Sequence, residues 1–148
     1  MTIREANITD IKALHEIRMA VKENVLNNPA LVTPHDYQRY LTTEGKGWLI
    51  EAGDRVAGFA IVDMPNRNVW GLFVHPHFEG LGVGKALMEA LLEWYFTQTN
   101  EPLWLSTGPG TRAEEFYRRT GWIETGITKG GETRFEMTIE AWTAMQPK

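Results

Sequence analysis

The apolar residues Ile11, Leu14, Ile17, Val21 and Val25 recur three and four apart, the period of a helix with one buried face. Thr9 stands before them as a capping hydroxyl, and Asn27-Asn28-Pro29 ends the pattern. A second helix is predicted from Thr33-Pro34-His35-Asp36 to about Leu41. Its start combines a capping hydroxyl, a proline at the first helical position and an acid near the positive end of the helix dipole. The period then changes. Gly45 and Gly47 break the chain before two strand-like runs, 48–52 and 56–62, which the pair Gly53-Asp54 joins as a hairpin. A third run, 68–74, follows the loop at Pro65-Asn66, and the three are expected to be adjacent antiparallel strands.

Beyond this point Leu87, Ala90, Leu91, Trp94 and Tyr95 return to helical spacing, predicting a long helix over 82–97. Pro102 separates it from Leu103-Trp104-Leu105, a short buried strand. Thr111-Arg112-Ala113-Glu114 reads as a capping box, with Thr111 and Glu114 each accepting from the other's backbone N–H, and opens a helix through Arg119 that Gly121 closes. Strands at 122–125 and 133–139 flank the turn Lys129-Gly130-Gly131. With a first strand at 2–6 the order is β-α-α-β-β-β-α-β-α-β-β. That order describes an α/β protein with a mixed, mostly antiparallel central sheet of about seven strands and about four helices, not a doubly wound sheet. The 148 residues show no repeat or linker and suit a single domain over 1–148.

Composition narrows the function. A net charge of -4 without a Lys/Arg run argues against nucleic-acid binding, which needs concentrated positive charge, and fits a cationic partner slightly better. The absence of cysteine excludes disulfides, Cys-ligated zinc and a thiol nucleophile. No apolar stretch has the length of a signal sequence or membrane span, so the expected location is cytoplasmic, with no membrane partner.

The chemistry concentrates between Phe73 and Leu87. Three alternate glycines, Gly80, Gly82 and Gly84, join a strand end to a helix start, so that backbone N–H groups can converge on an anion at the positive end of the helix. A diphosphate is the natural ligand; the bland alternative is a glycine-rich turn that binds nothing. A Walker loop would need Gly at 79 and Ser or Thr at 86, where the chain has Glu79 and Ala86. The dinucleotide fingerprint fails at Lys85 or at Leu87, depending on which glycine starts it.

The segment Glu79-Gly80-Leu81-Gly82-Val83-Gly84, followed at a suitable distance by Phe116-Tyr117-Arg118-Arg119-Thr120-Gly121-Trp122, resembles the two sequence blocks of the GNAT superfamily of N-acetyltransferases. The resemblance covers nearly the whole chain. It implies an enzyme that takes an acetyl group from acetyl-CoA and uses no metal. Leu72, Phe73 and Val74 would lend backbone groups to the pantetheine arm, helped by a split between this strand and residues 103–106. Gly80, Leu81, Gly82, Val83, Gly84, Lys85 and Ala86 would hold the pyrophosphate, and Tyr117 would protonate the departing thiolate. Two positions depart from the family pattern. Glu79 replaces a cationic or amide residue, and Gly110 replaces an Asn, which passes that cofactor contact to the backbone or to Thr111 or Arg112.

The acceptor side is thinner. The variable early segment offers Arg18, Glu23 and Asn24, and strand alternation sets Trp70 on the face opposite Val69, Gly71 and Phe73, where it could meet substrate. Trp48, Trp70 and Trp104 are otherwise core residues. Candidate bases are Glu23, Asp63, Glu132 and Glu136, or water relayed by carbonyls. His75 and His77 read as loop residues and not a metal site; His15 and His35 are expected on exposed helix faces. The leading expectation is a small-molecule amine acceptor. Behind it stand a protein N-terminal or lysine acetyltransferase and a non-catalytic acyl-CoA-binding module. Phe135, Met137, Ile139 and Trp142 leave room for a homodimer through the terminal strands.

Overall fold

The computed structural model describes residues 1–21 and 32–147, and its chain divides into two compact units, Met1–Leu91 and Leu92–Lys148. Seven strands and five α-helices lie among the described residues, in the mixed and mostly antiparallel arrangement expected.

In the first unit, β1 (Thr2–Glu5), β2 (Gly45–Ala52), β3 (Arg55–Asp63) and β4 (Asn68–Val74) pair in that order, each antiparallel to the next. Helices α1 (Ile11–Ala20) and α2 (Pro34–Thr42) cover one face. Leu14, Ile17, Tyr37, Tyr40 and Leu41 from the helices meet Leu49, Phe59 and Ile61 from the strands in one buried cluster. Full burial of Leu14, Leu49 or Phe59 contributes about 1.5–3 kcal/mol each. On the other face, α3 (Val83–Gln98) begins against β3. Gly58 permits that approach: a Cβ there would stand 3.0 Å from Val83 Cγ1 and 3.3 Å from Leu87 Cδ1.

The second unit takes up α3 from Leu92, followed by β5 (Leu103–Thr107), α4 (Arg112–Arg119), β6 (Ile123–Ile127), β7 (Thr133–Met137) and α5 (Ile139–Met145). Its strands run β5-β7-β6, both pairings antiparallel. Leu103, Leu105, Tyr117, Trp122, Phe135 and Met137 are buried here.

Several boundaries differ from the sequence expectations, for physical reasons. The first cap is Asn7, not Thr9: Asn7 and Asp10 form a capping box around a single 3-10 turn, and α1 continues from it. Val21 has already turned to extended backbone, so α1 ends before the periodicity does. Val25 and the stop at Asn27-Asn28-Pro29 lie outside the described residues. Gly45 and Gly47 do not interrupt the chain but start β2, because both pack where a side chain cannot: a Cβ on Gly45 would lie 1.9 Å from the Val62 carbonyl oxygen. Residues 138–139 leave the sheet, since the Thr138 hydroxyl accepts from the Ala141 N–H and caps α5.

Candidate active site

The glycine turn is built from β4 upward. The His75 N–H donates to the Ala57 carbonyl at 2.8 Å, which ties the strand end to β3, and the His75 ring accepts from the His77 N–H at 3.1 Å to cap a short 3-10 turn. Gly80 and Gly82 then take φ of +76° and +81°, the left-handed region where a side chain is strained, and α3 opens at Val83 with its first helical bond from Ala86 N–H to the Gly82 carbonyl. Ordinary helix geometry leaves the N–H groups of Val83, Gly84 and Lys85 without an acceptor within the helix, at its positive end. Nothing lies within 4 Å of where a Cβ on Gly80 or Gly82 would point. Space, amides and dipole together fit an anionic diphosphate.

Val83 is buried and anchors the turn, whereas Leu81 (58% exposed), Lys85 and Ala86 face solvent. Glu79 is exposed on extended backbone just before the turn. Leu72, Phe73 and Val74 are half-buried at the end of β4, with the Phe73 ring 5.6 Å from that of Phe59. His75 is held below the ordinary imidazole range, first by burial and then by His77 and Arg55, so its ring is neutral near pH 7.

A bulge in β4 changes the expected alternation. Gly71 pairs with Ile61 and Val69 with Val62, so Trp70 is an extra residue between two register positions. It therefore shares a side with Phe73 instead of opposing it. Trp70 packs edge-on to Tyr37 at 5.1 Å and tilted on Tyr40 at 4.9 Å, and both Trp70 and Phe73 border the core beneath α1 and α2. Between them lies the Arg18 guanidinium, 5.3 Å from the Trp70 ring and 4.7 Å from the Phe73 ring. Glu23 and Asn24 fall outside the described residues.

In the second unit Thr111 caps α4, its hydroxyl accepting from the Glu114 N–H at 3.2 Å, and Arg112 is exposed in the first turn. The reciprocal half of the expected capping box is absent. The Glu114 carboxylate instead accepts from the Gly110 N–H, the Thr133 hydroxyl and Arg118, which hold it below the usual carboxylate range. At the other end Gly121 adopts φ +95°, and the Trp122 N–H donates to the Tyr117 carbonyl at 3.1 Å, a Schellman closure. Tyr117 is buried, 5.4 to 5.9 Å from the rings of Phe116, Trp122 and Phe135, and burial alone pushes its phenol well above the ordinary range. It is thus a protonated group at any working pH.

Of the candidate bases, Glu23 lies outside the described residues and the other three have structural partners. Asp63 is buried and accepts from the Asn66 backbone and side chain; Glu132 accepts from the Ser106 hydroxyl; Glu136 pairs with Arg134 at 3.7 Å. His15 is not exposed as expected but half-buried, with Nδ1 3.0 Å from the Tyr37 hydroxyl. Tyr37 itself, fully buried and pushed up to about 12 by that burial, was no sequence candidate; its place on the apolar face of α2 was the only signal.

Comparison with known proteins agrees with this architecture. One curated relative, the uncharacterized N-acetyltransferase ycf52 of Porphyra purpurea, is 30% identical over 77 residues, a stretch spanning 50% of this chain and 43% of that protein's length. Among solved structures, the PaiA N-acetyltransferase of Thermoplasma acidophilum in complex with coenzyme A superposes with a TM-score of 0.78 at 14% identity, covering 93% of this chain and 98% of that one. The ribosomal-protein-S18-alanine N-acetyltransferase of Escherichia coli gives 0.71 at 20% identity, over 92% and 90% of the two chains. These likenesses describe the fold. The Acetyltransferase (GNAT) family model matches residues 11–122, through both the glycine turn and the Tyr117 block, and the chain belongs to that family.

Proposed function

We propose that the protein transfers an acetyl group from acetyl-CoA to the primary amine of a small molecule in the cytoplasm. The observation that carries the proposal is the pair of left-handed glycines opening α3, with clear space above them, in a chain of the GNAT family. The amides of residues 80–86 would hold the pyrophosphate of the acyl donor, with Leu72, Phe73 and Val74 along its arm and Thr111 and Arg112 as further contacts. The donor supplies an activated acyl carbon. The amine nitrogen bonds to that carbon as the carbon–sulfur bond breaks, and the amine gives up a proton. Tyr117, a phenol that carries its proton at neutral pH, is the residue proposed to give a proton to the departing thiolate, although burial makes it a weaker acid than a free tyrosine. No side chain is assigned as base, since Asp63, Glu132 and Glu136 are otherwise engaged, and a water relay serves that step.

No helix among the described residues is long and apolar enough to cross a membrane. A second reading, acetylation of a protein N-terminus, draws support from the likeness to the S18-alanine enzyme. The test is calorimetric titration with acetyl-CoA, then a screen of small amines and N-terminal peptides for release of free CoA. Binding followed by turnover of a small amine supports the proposal. Turnover confined to peptides favours the second reading, and no binding at millimolar acetyl-CoA overturns both.

A further inference from the structure

Arg18 stands apart from every other cation described. Its Nε and Nη1 are buried and have no hydrogen-bond partner. Among the described residues the groups acting on its charge reduce to the Tyr37 hydroxyl, with no carboxylate, and burial pulls its pKa below the ordinary guanidinium range. A guanidinium remains charged even so. Its faces are taken by the rings of Trp70 and Phe73, at 5.3 and 4.7 Å, and these tolerate the cation without accepting its N–H bonds. The residue as a whole is only half-buried, so part of it meets solvent although these two nitrogens do not. Gly71 leaves just the space that the guanidinium and the ring use: a Cβ there would stand 3.1 Å from Phe73 Cε2 and touch Nη1 at 3.6 Å.

Buried donors without acceptors are rare in native proteins and call for an explanation; a charged donor calls for one most. No hydrogen bond fixes these two nitrogens, so a small turn about the terminal bonds of the side chain presents them to an arriving oxyanion. A lone cation between two aromatic walls matches a planar monoanion, and a carboxylate accepts from more than one guanidinium N–H at once. A tetrahedral dianion would want further cations, and none is described there. Phe73 is also one of the residues placed along the acyl donor, so a group held by Arg18 sits beside the strand that serves the reaction.

We infer that Arg18 binds the carboxylate of the acceptor, and that the acceptor is a small amine carrying a carboxylate, such as an amino acid or a related amino-carboxylic acid. This rests on the small-molecule acetyltransferase reading above. It makes Arg18 a specificity-determining residue, with Trp70 and Tyr37 positioning it. The charge also orients the substrate, since a guanidinium repels an ammonium and draws the carboxylate end inward.

The test has a binding arm and an activity arm. Thermal-shift and calorimetric titrations of the CoA-saturated protein compare phenylacetate with phenylacetamide, and CoA release compares free amino acids with their methyl esters. The acid should bind more tightly than the amide, and the free amino acid should exceed its ester in kcat/KM, each on the order of 100-fold. Arg18→Met should bring both ratios close to one, while Arg18→Lys, a point charge without the planar fork, should keep part of them. Equal binding of acid and amide by the unaltered protein overturns the inference without recourse to any variant, as does a preference that survives in Arg18→Met. Acetylation of esters and free acids alike sinks the inference and leaves acyl transfer standing. An Arg18-dependent preference for acids with no amine acetylated keeps the carboxylate site and removes the acetyltransferase reading.

Discussion

Tyr117 shows how much a single residue's meaning depends on its surroundings. As one aromatic among Phe116, Trp122 and Phe135 it completes a core, and its burial holds the phenol's proton more tightly than water would. Tyr117→Phe preserves the packing and removes the proton. It should lower kcat by about 10²–10⁴-fold while leaving acetyl-CoA affinity and the thermal midpoint close to those of the parent, which steady-state kinetics and calorimetry measure together. Because the folded phenol titrates above the ordinary tyrosine range, its ionisation should not shape the rate profile below about pH 10. An unchanged kcat in Tyr117→Phe would remove the acid role.

At the scale of elements, the legible parts of the sequence were those governed by local chemistry. The start of α2 at Thr33 and Pro34, the span of β4 and the glycine turn depend on caps, alternation and backbone freedom, which neighbouring residues encode. The parts that escaped depend on contacts distant in sequence. Gly45 belongs in β2 because the Val62 carbonyl occupies its side-chain space, and Trp70 changes side because β4 bulges against β3. Glu114 reaches Thr133 on β7 in place of completing a local box. The same limit hid the setting of Arg18, a candidate in the sequence, whose unpartnered nitrogens between Trp70 and Phe73 exist only in the folded chain. The turn itself is open to a direct test. Gly82→Val sets a β-branched residue at φ +81°, at a cost of about 1–2 kcal/mol, and fills the space above the amides. Calorimetry should show acetyl-CoA affinity lost, while circular dichroism still reports a folded chain.

For the whole molecule, protonation sets a window of stability. Asp10 is held low by Arg4, Asp36 by the Thr33 N–H and Glu114 by Thr133. Their contributions are complete above the unfolded carboxylate range of about 4 and are lost as pH falls through the lower folded values. His75, also depressed, adds an earlier and shallower loss that begins as pH falls below about 6.5, where the unfolded imidazole takes up its proton first. Tyr37 and Tyr117 are raised, so their contributions hold below about 10 and disappear as pH rises through the folded values. Thermal unfolding should therefore be most resistant between about pH 7 and 9. In His75→Asn the shallow decline between pH 7 and 5 should vanish while the steeper acid limb remains; a decline that persists unchanged would assign it elsewhere.

One small contact has a practical consequence for anyone handling the protein. Met145, near the end of α5, lies over the turn that closes α4: a Cβ on Gly121 would sit 2.5 Å from its sulfur. Gly121 is the residue whose conformation allows the Trp122 N–H to bind the Tyr117 carbonyl. The last helix, beyond the stretch matched by the family model, is therefore the weight resting on the latch of the helix that bears Tyr117. A chain shortened after Thr138 would keep every motif residue and still uncover that latch, since Met145 leaves with α5.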